Sequence, residues 1–417
     1  MALNISLGLR PALGQPPRHR AAALPGHGKS ARLPTGSTAK HGQARGETPL
    51  NFDFSDELKQ LRDEARRFLR ERCPTTAPRR VLESDEQYDR ALWQEIAGMG
   101  WTGAAIPEAY GGAGLGHLAV CVLAEEIGYA IAPIPFASSV YLASEAILRF
   151  GSEAQKQAWL PKLASGKAIG CLACAEGPGI VDARRFDATV TDGKLTGTKM
   201  PVADGDIAHL AVVAVRGGGL YLVDLSGSGV TRETVSTIDP SRSHARIEFA
   251  GTAAERLPQA DGDALRTLLD RAAIMMAFEQ VGGAQAALDM ARDYALQRYA
   301  FGRPIGSFQA IKHKLADVYV AVELARSNAY YGAWALSKDA AELPVAASLA
   351  RVAATEAGWQ AAKENIQTHG GMGFTWAFDC HLHYRRAKLL GLALGSAREW
   401  KHRLIAELRT RNMPAAA

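Results

Sequence analysis

Residues 265–296 read as one uninterrupted helix whose middle, 272–288, is apolar or small on nearly every face. A surface helix keeps a polar side; a helix without one must be enclosed by other elements. This stretch therefore predicts a central buried helix with further helices packed round it. The following sequence supplies them. Phe308, Ile311, Leu315, Val318, Tyr319 and Val322 recur at a spacing of three to four over 308–337, and helices are expected again at 343–369 and 379–411. Together they predict an antiparallel four-helix bundle over 257–412.

Two other regions precede the bundle. Ser55-Asp-Glu reads as an N-cap with an acidic first turn, and Leu58, Leu61, Ala65, Phe68 and Leu69 follow at helical spacing. Pro74 and Pro78 are expected to break that helix. Further helices are predicted near 86–98, 116–130, 136–150 and 153–165, giving a helical domain over 52–165. Residues 166–256 change to short runs with period two, such as 210–215 and 220–224, with turn signals at Asp192-Gly193 and Gly217-Gly-Gly219. They predict a small antiparallel β-domain closed as a barrel. The fold class is thus α+β, mostly helical, in the order helical domain, β-barrel domain, helical bundle. Residues 413–417 are a tail.

The chain of 417 residues carries a formal charge of +5, unevenly placed. Residues 1–49 hold seven Lys/Arg against one acid, so the remainder nets −1 and has no basic excess for nucleic acid. Residues 1–51 are rich in Arg, Ala, Gly and Pro and are expected to be a disordered basic extension. No apolar run reaches membrane-spanning length. Five cysteines, an odd number in so long a chain, fit a reducing compartment. The bacterial cytoplasm is expected in preference to the mitochondrial matrix. Cys171 and Cys174 form a lone C-x-x-C within a strand-like run and are expected to be inert core thiols, so no metal site is predicted.

Between the long helices lies Arg298-Tyr-Ala-Phe-Gly-Arg-Pro-Ile-Gly-Ser-Phe-Gln309. Its glycines and proline interrupt the helix where a ligand could approach the backbone, and the turn could present Arg298 and Phe301 to a flat anion. This stretch, with Pro107-Glu-Ala-Tyr-Gly-Gly112, Gly197-Thr-Lys199 and Gln367-x-x-Gly370-Gly371-x-Gly373, resembles the acyl-CoA dehydrogenase family of flavoproteins over roughly residues 52–411. The resemblance implies an FAD site shared between subunits, with Arg298, Phe301, Gln309, Gln367, Gly370 and Gly371 as cofactor-binding residues. A guanidinium forks onto phosphate oxygens, and glycines let backbone N–H groups reach them. It implies a homodimer, homotetramer or heterotetramer with a second family subunit, an acyl-CoA substrate, and an electron-transfer flavoprotein or similar acceptor. The implied reaction is α,β-dehydrogenation of the thioester, in which a carboxylate removes the α-proton.

The sequence departs from the family where that carboxylate belongs. The two usual base positions are Leu394, before Gly395-Ser396, and Ala272 on the central helix. Glu279, two helical turns beyond Ala272 on nearly the same face, and Asp270, about 200° round from it, are the candidate acids nearby. The flavin-facing hydroxyls and tryptophan of the family become Ala175, Val181, Ala203 and Pro201. These losses cluster at the reactive end of FAD. They leave three expectations open: a dehydrogenase active alone or beside a catalytic partner, on an acyl chain of fatty-acid or steroid degradation that is allowed to be bulky or branched; a non-catalytic subunit sharing the FAD sites of a heteromer; or another flavin reaction on the same fold.

Overall fold

A computed structural model describes residues 54–178 and 181–412. The expected disordered extension and the tail lie outside the described residues.

The first helical layer contains α1 (Asp56–Arg72), α2 (Thr76–Leu82), α3 (Arg90–Gly98), α4 (Gly116–Tyr129), α5 (Glu145–Phe150) and α6 (Glu153–Ala164). Ser55 caps α1 by accepting from Leu58 N–H, as its sequence predicts. Pro78 does not break the chain: it sits in the first turn of α2, where a missing N–H costs no intrahelical bond. The helix expected at 86–98 starts later, at Arg90, because Asp89 accepts from Leu92 N–H and fixes the N-terminus. Ahead of α5, residues Ala137–Ser144 wind as a buried π-helix.

The β-region contains β1 (Gly170–Ala173), β2 (Thr189–Thr191), β3 (Lys194–Ala203), β4 (Leu210–Ala214), β5 (Leu220–Asp224), β6 (Val230–Thr234), β7 (His244–Ala253) and β8 (Glu255–Arg256). They form two open four-stranded sheets, ordered β1-β4-β5-β8 and β2-β3-β7-β6, rather than a closed antiparallel barrel. β1 and β4 pair in parallel. All five β4 residues are buried, the composition of a strand covered on both faces. The Gly197–Lys199 motif lies within β3. Cys171 and Cys174 are unbonded, and burial pushes both thiols up, Cys174 to about 11.

The bundle is built on α7 (Ala264–Gln297). A hairpin of β9 (Tyr299–Ala300) and β10 (Arg303–Pro304) links it to α8 (Gln309–Ser337), followed by α9 (Leu343–His369). The single helix expected over 379–411 is two, α10 (Cys380–Leu392) and α11 (Ala397–Asn412). They are parted by Leu394 (φ +60°) and Gly395 (φ +98°). The enclosure predicted for α7 is observed, with residues 268–282 buried without a break. α7 crosses α4 at backbone contact. A Cβ on Gly282 would lie 1.8 Å from Glu125 O, and one on Gly128 would lie 1.9 Å from Glu279 O. Among the described residues no helix is long and apolar enough to cross a membrane.

Candidate functional site

The bundle end where α7 and α9 terminate carries most of the residues singled out from sequence. Arg298 is the C-cap of α7; its N–H donates to Tyr294 O (2.8 Å) and its carbonyl accepts from Ile305 N–H (2.7 Å). β9 and β10 then make a two-residue hairpin whose central residues, Phe301 (φ +52°) and Gly302 (φ +79°), both lie in the left-handed region. This is the backbone of a type I′ turn. It thrusts Phe301 outward until 96% of it is exposed. Phe308 sits edge-on to Phe301 (6.2 Å between centroids), with the Arg303 guanidinium 4.1 Å above the Phe308 ring. Gln309, exposed, opens α8.

α9 ends beside this hairpin. Tyr294, one turn before Arg298, stacks on His369, the last residue of α9, with centroids 4.0 Å apart. Gly370 follows at φ +59°, ψ −137°, a conformation closed to side chains bearing Cβ. Gly371 and Gln367 are exposed beside it, and a Cβ at Gly370 or Gly371 would meet nothing within 4 Å. Among the described residues no hydrogen bond or ion pair engages the Arg298 side chain. One end of the bundle thus gathers an uncommitted guanidinium, an outward aromatic ring and a glycine-rich helix terminus.

The β-region presents a different chemistry. Ala175, Val181 and Ala203 are half-buried and Pro201 is exposed, so this wall offers no side-chain hydrogen-bond donor at those positions. The charged groups beside it are already occupied. Glu176 accepts from Lys199 Nζ (2.6 Å) and from the N–H groups of Asp187 (2.5 Å) and Ala188 (3.1 Å). Lys199, fully buried, lies 3.8 Å over the Phe186 ring. Sequence reasoning missed this staple. Its signal was the pairing of a lone Glu with a lone Lys across two short strand-like runs, which only the strand register can bring together.

The two candidate acids are both engaged. Glu279 is 0% exposed and forms a buried ion pair with Arg242, from the loop between β6 and β7. That loop is sunk into the bundle: Arg386 of α10 donates to Asp239 Oδ2 (2.6 Å) and Ser241 Oγ (3.0 Å). Asp270, on the other side of α7, is ion-paired with Arg403 of α11; burial pushes its carboxyl up to about 6, against the pull of Arg403. The structure does not bring the two acids together. Ala272 and Ala273 are fully buried.

Leu394 lies on the α10–α11 turn. Its carbonyl accepts from Trp400 Nε1 (3.0 Å). Arg351, buried on α9, donates to the carbonyls of Leu390 and Ala393 and to Gln280. A cation on the last carbonyls of a helix is favourable, and here it compensates for burial, which lowers the guanidinium to about 9. The turn is therefore firmly built, and its apex carries an aliphatic side chain.

Comparison with known proteins agrees with this architecture. The family model "Acyl-CoA dehydrogenase, N-terminal domain" matches residues 55–167, and "Acyl-CoA dehydrogenase, C-terminal domain" matches residues 262–407. Acyl-CoA dehydrogenase IpdE2 of Mycobacterium tuberculosis is 36% identical over 357 residues, covering 85% of this chain and 98% of that protein. Among solved structures, the Tcur3481–Tcur3483 steroid ACAD is 32% identical with a TM-score of 0.79, over 85% of this chain and 99% of that one. The ChsE4–ChsE5 complex from Mycobacterium tuberculosis gives 28% identity and a TM-score of 0.80, over 88% of this chain and 100% of that one. The chain belongs to the acyl-CoA dehydrogenase family.

Proposed function

We propose that this chain is a subunit of a heteromeric, FAD-dependent acyl-CoA dehydrogenase, in which it shares the FAD sites and a second family member supplies the catalytic carboxylate. One observation carries the reading: Leu394 occupies the apex of an intact α10–α11 turn while the two candidate acids of α7 are committed elsewhere, Glu279 to Arg242 and Asp270 to Arg403. A base must be reachable and free to take a proton. Neither acid meets both conditions.

The residues present fit one end of FAD. Arg298 is uncommitted, and the backbone at Gly370 and Gly371 is open to an approaching anion, which suits a diphosphate. Phe301 offers a flat apolar wall for an adenine. Gln309 and Gln367 flank them. At the isoalloxazine end, Ala175, Val181, Ala203 and Pro201 supply no side-chain donors. When bound, FAD accepts the hydride that leaves the acyl β-carbon. This chain's residues hold the adenosine diphosphate and exclude water, while the partner's carboxylate takes the α-proton. Two named relatives support the assembly and the substrate class: one solved structure is a complex of two different chains, ChsE4 and ChsE5, and another is called a steroid ACAD. We assign a bulky, polycyclic acyl-CoA as substrate and an electron-transfer flavoprotein or similar protein as the acceptor.

The test is the visible spectrum of the chain purified alone and after co-expression with a family member that keeps the carboxylate. The expected result is a colourless chain alone and a flavin-bearing complex bleached anaerobically by acyl-CoA. A yellow chain that acyl-CoA bleaches without any partner would overturn the proposal. Loss of that bleaching in Glu279→Gln would then identify Glu279 as the base.

A further inference from the structure

We propose that Tyr294 is a positioning residue of the cofactor clamp: its ring holds both ends of the Gly370–Gly373 turn and so sets that turn's distance from Arg298. The role rests on that end of the bundle being the adenosine-diphosphate half of an FAD site.

α7 and α9 run in the same direction and meet in steps of four residues, each about one helical turn or ~6 Å. Asn365 Nδ2 donates to Met290 Sδ (3.2 Å). Four residues on along both helices, His369 stacks on Tyr294, with centroids 4.0 Å apart and planes 25° from parallel. One further step reaches Arg298 on α7 and Gly373 beyond α9. The chain past His369 folds back on itself as a tight turn over Gly370–Phe374. A Cβ on Gly373 would lie 2.6 Å from Ile366 O and 2.8 Å from His369 Cβ. Phe378 then returns to the same tyrosine, edge-on to Tyr294 (6.4 Å) and to His369 (5.9 Å). Tyr294 thus contacts the residue that precedes the turn and one that soon follows it.

His369 is itself held in place. Its Nδ1 lies 2.9 Å from Asn365 O, and a carbonyl only accepts, so that nitrogen carries the proton and the ring orientation is fixed. His369 is buried and Tyr294 half-buried. The stack therefore acts through the exposed groups on either side of it: Arg298 one turn along α7, and Gly370 and Gly371 next in the chain. A diphosphate that meets a guanidinium and backbone N–H groups together binds best when their separation is set beforehand.

Calorimetric titration of the full chain with ADP tests this. Tyr294→Leu removes the ring and should weaken ADP binding about tenfold, the effect of losing one charge-assisted hydrogen bond to phosphate. Tyr294→Phe keeps the stack and should bind ADP as the unsubstituted chain does, which separates a lost ring from a lost hydroxyl. The decisive measurement combines Tyr294→Leu with Arg298→Ala. Residues that act through one another give a combined loss smaller than the two single losses together, and that is the expected result. Unchanged ADP affinity in Tyr294→Leu, or losses that add in full, would overturn the proposal and leave the clamp intact. An unsubstituted chain that takes no ADP would instead overturn the reading of the clamp, and this role with it. Should Tyr294→Leu yield no folded protein, His369→Leu, which removes the other ring, takes its place in the same cycle.

Discussion

His383 shows how far burial can move a single residue. It faces α7 from α10, and burial pushes its imidazole down from 6.5 to about 4, with Arg386 adding to the shift and Asp379 opposing it. A base whose folded pKa is depressed is neutral in the native state and protonates more readily unfolded. Its contribution is therefore fully present above pH 6.5 and is lost as the pH falls toward 4. A depression of this size corresponds to roughly 3 kcal/mol in order of magnitude. Urea unfolding at pH 7.5 and 4.5 should show His383→Gln losing less stability on acidification than the unsubstituted chain. Equal losses in the two proteins would show that another group governs the acid limb. The candidate acids differ in how well sequence foretold them. Their proximity to Ala272 was readable from helical periodicity. That Arg242 and Arg403 claim them was not, because those arginines lie 37 residues before Glu279 and 133 after Asp270.

Among the elements, α7 governs the architecture. Its all-round burial requires a neighbour so close to α4 that no side chain fits at the crossing. Gly282→Ala would drive a Cβ into Glu125 O and force the helices apart. The expected cost is about 2–4 kcal/mol, well beyond the gain in helix propensity. Thermal unfolding monitored by far-ultraviolet circular dichroism would measure it; an unchanged midpoint would mean the crossing is more plastic than described. The α10–α11 break belongs to the same scale. Periodicity carried one helix through 379–411, and Gly395 was the signal that it should stop. The turn depends on Arg351 binding α10's last carbonyls, and local sequence does not encode that bond.

The whole chain leaves one end of the bundle unfinished. Phe301 and Phe374 are 96% and 89% exposed, with Tyr299, Met372 and Trp376 also exposed on the same two segments. In the proposed heteromer, aromatic exposure of this extent is the surface that the second subunit would cover. Replacing both rings (Phe301→Asp with Phe374→Asp) should leave the circular dichroism spectrum unchanged. In size-exclusion chromatography with light scattering, the doubly substituted chain should no longer co-elute with a flavin-bearing partner. Undiminished association would place the interface elsewhere.

The sequence alone determined the order of the elements, the central buried helix, the family resemblance and the apolar residues, Leu394 and Ala272, at the two positions where that resemblance implies a carboxylate. Each follows from local periodicity or from motifs read along the chain, and such information survives without coordinates. Only the tertiary structure decided that the sheets stay open, that Glu176 and Lys199 form a staple rather than part of a binding wall, and that Glu279 and Asp270 are committed to arginines. Those outcomes depend on which distant residues burial brings face to face. A buried charge takes whatever partner the packing supplies. For the 298–309 stretch the division is sharpest. Its composition suggested a ligand-facing turn, and the fold adds that Phe301 stands on a left-handed hairpin apex at the same end of the bundle as Gly370 and Gly371.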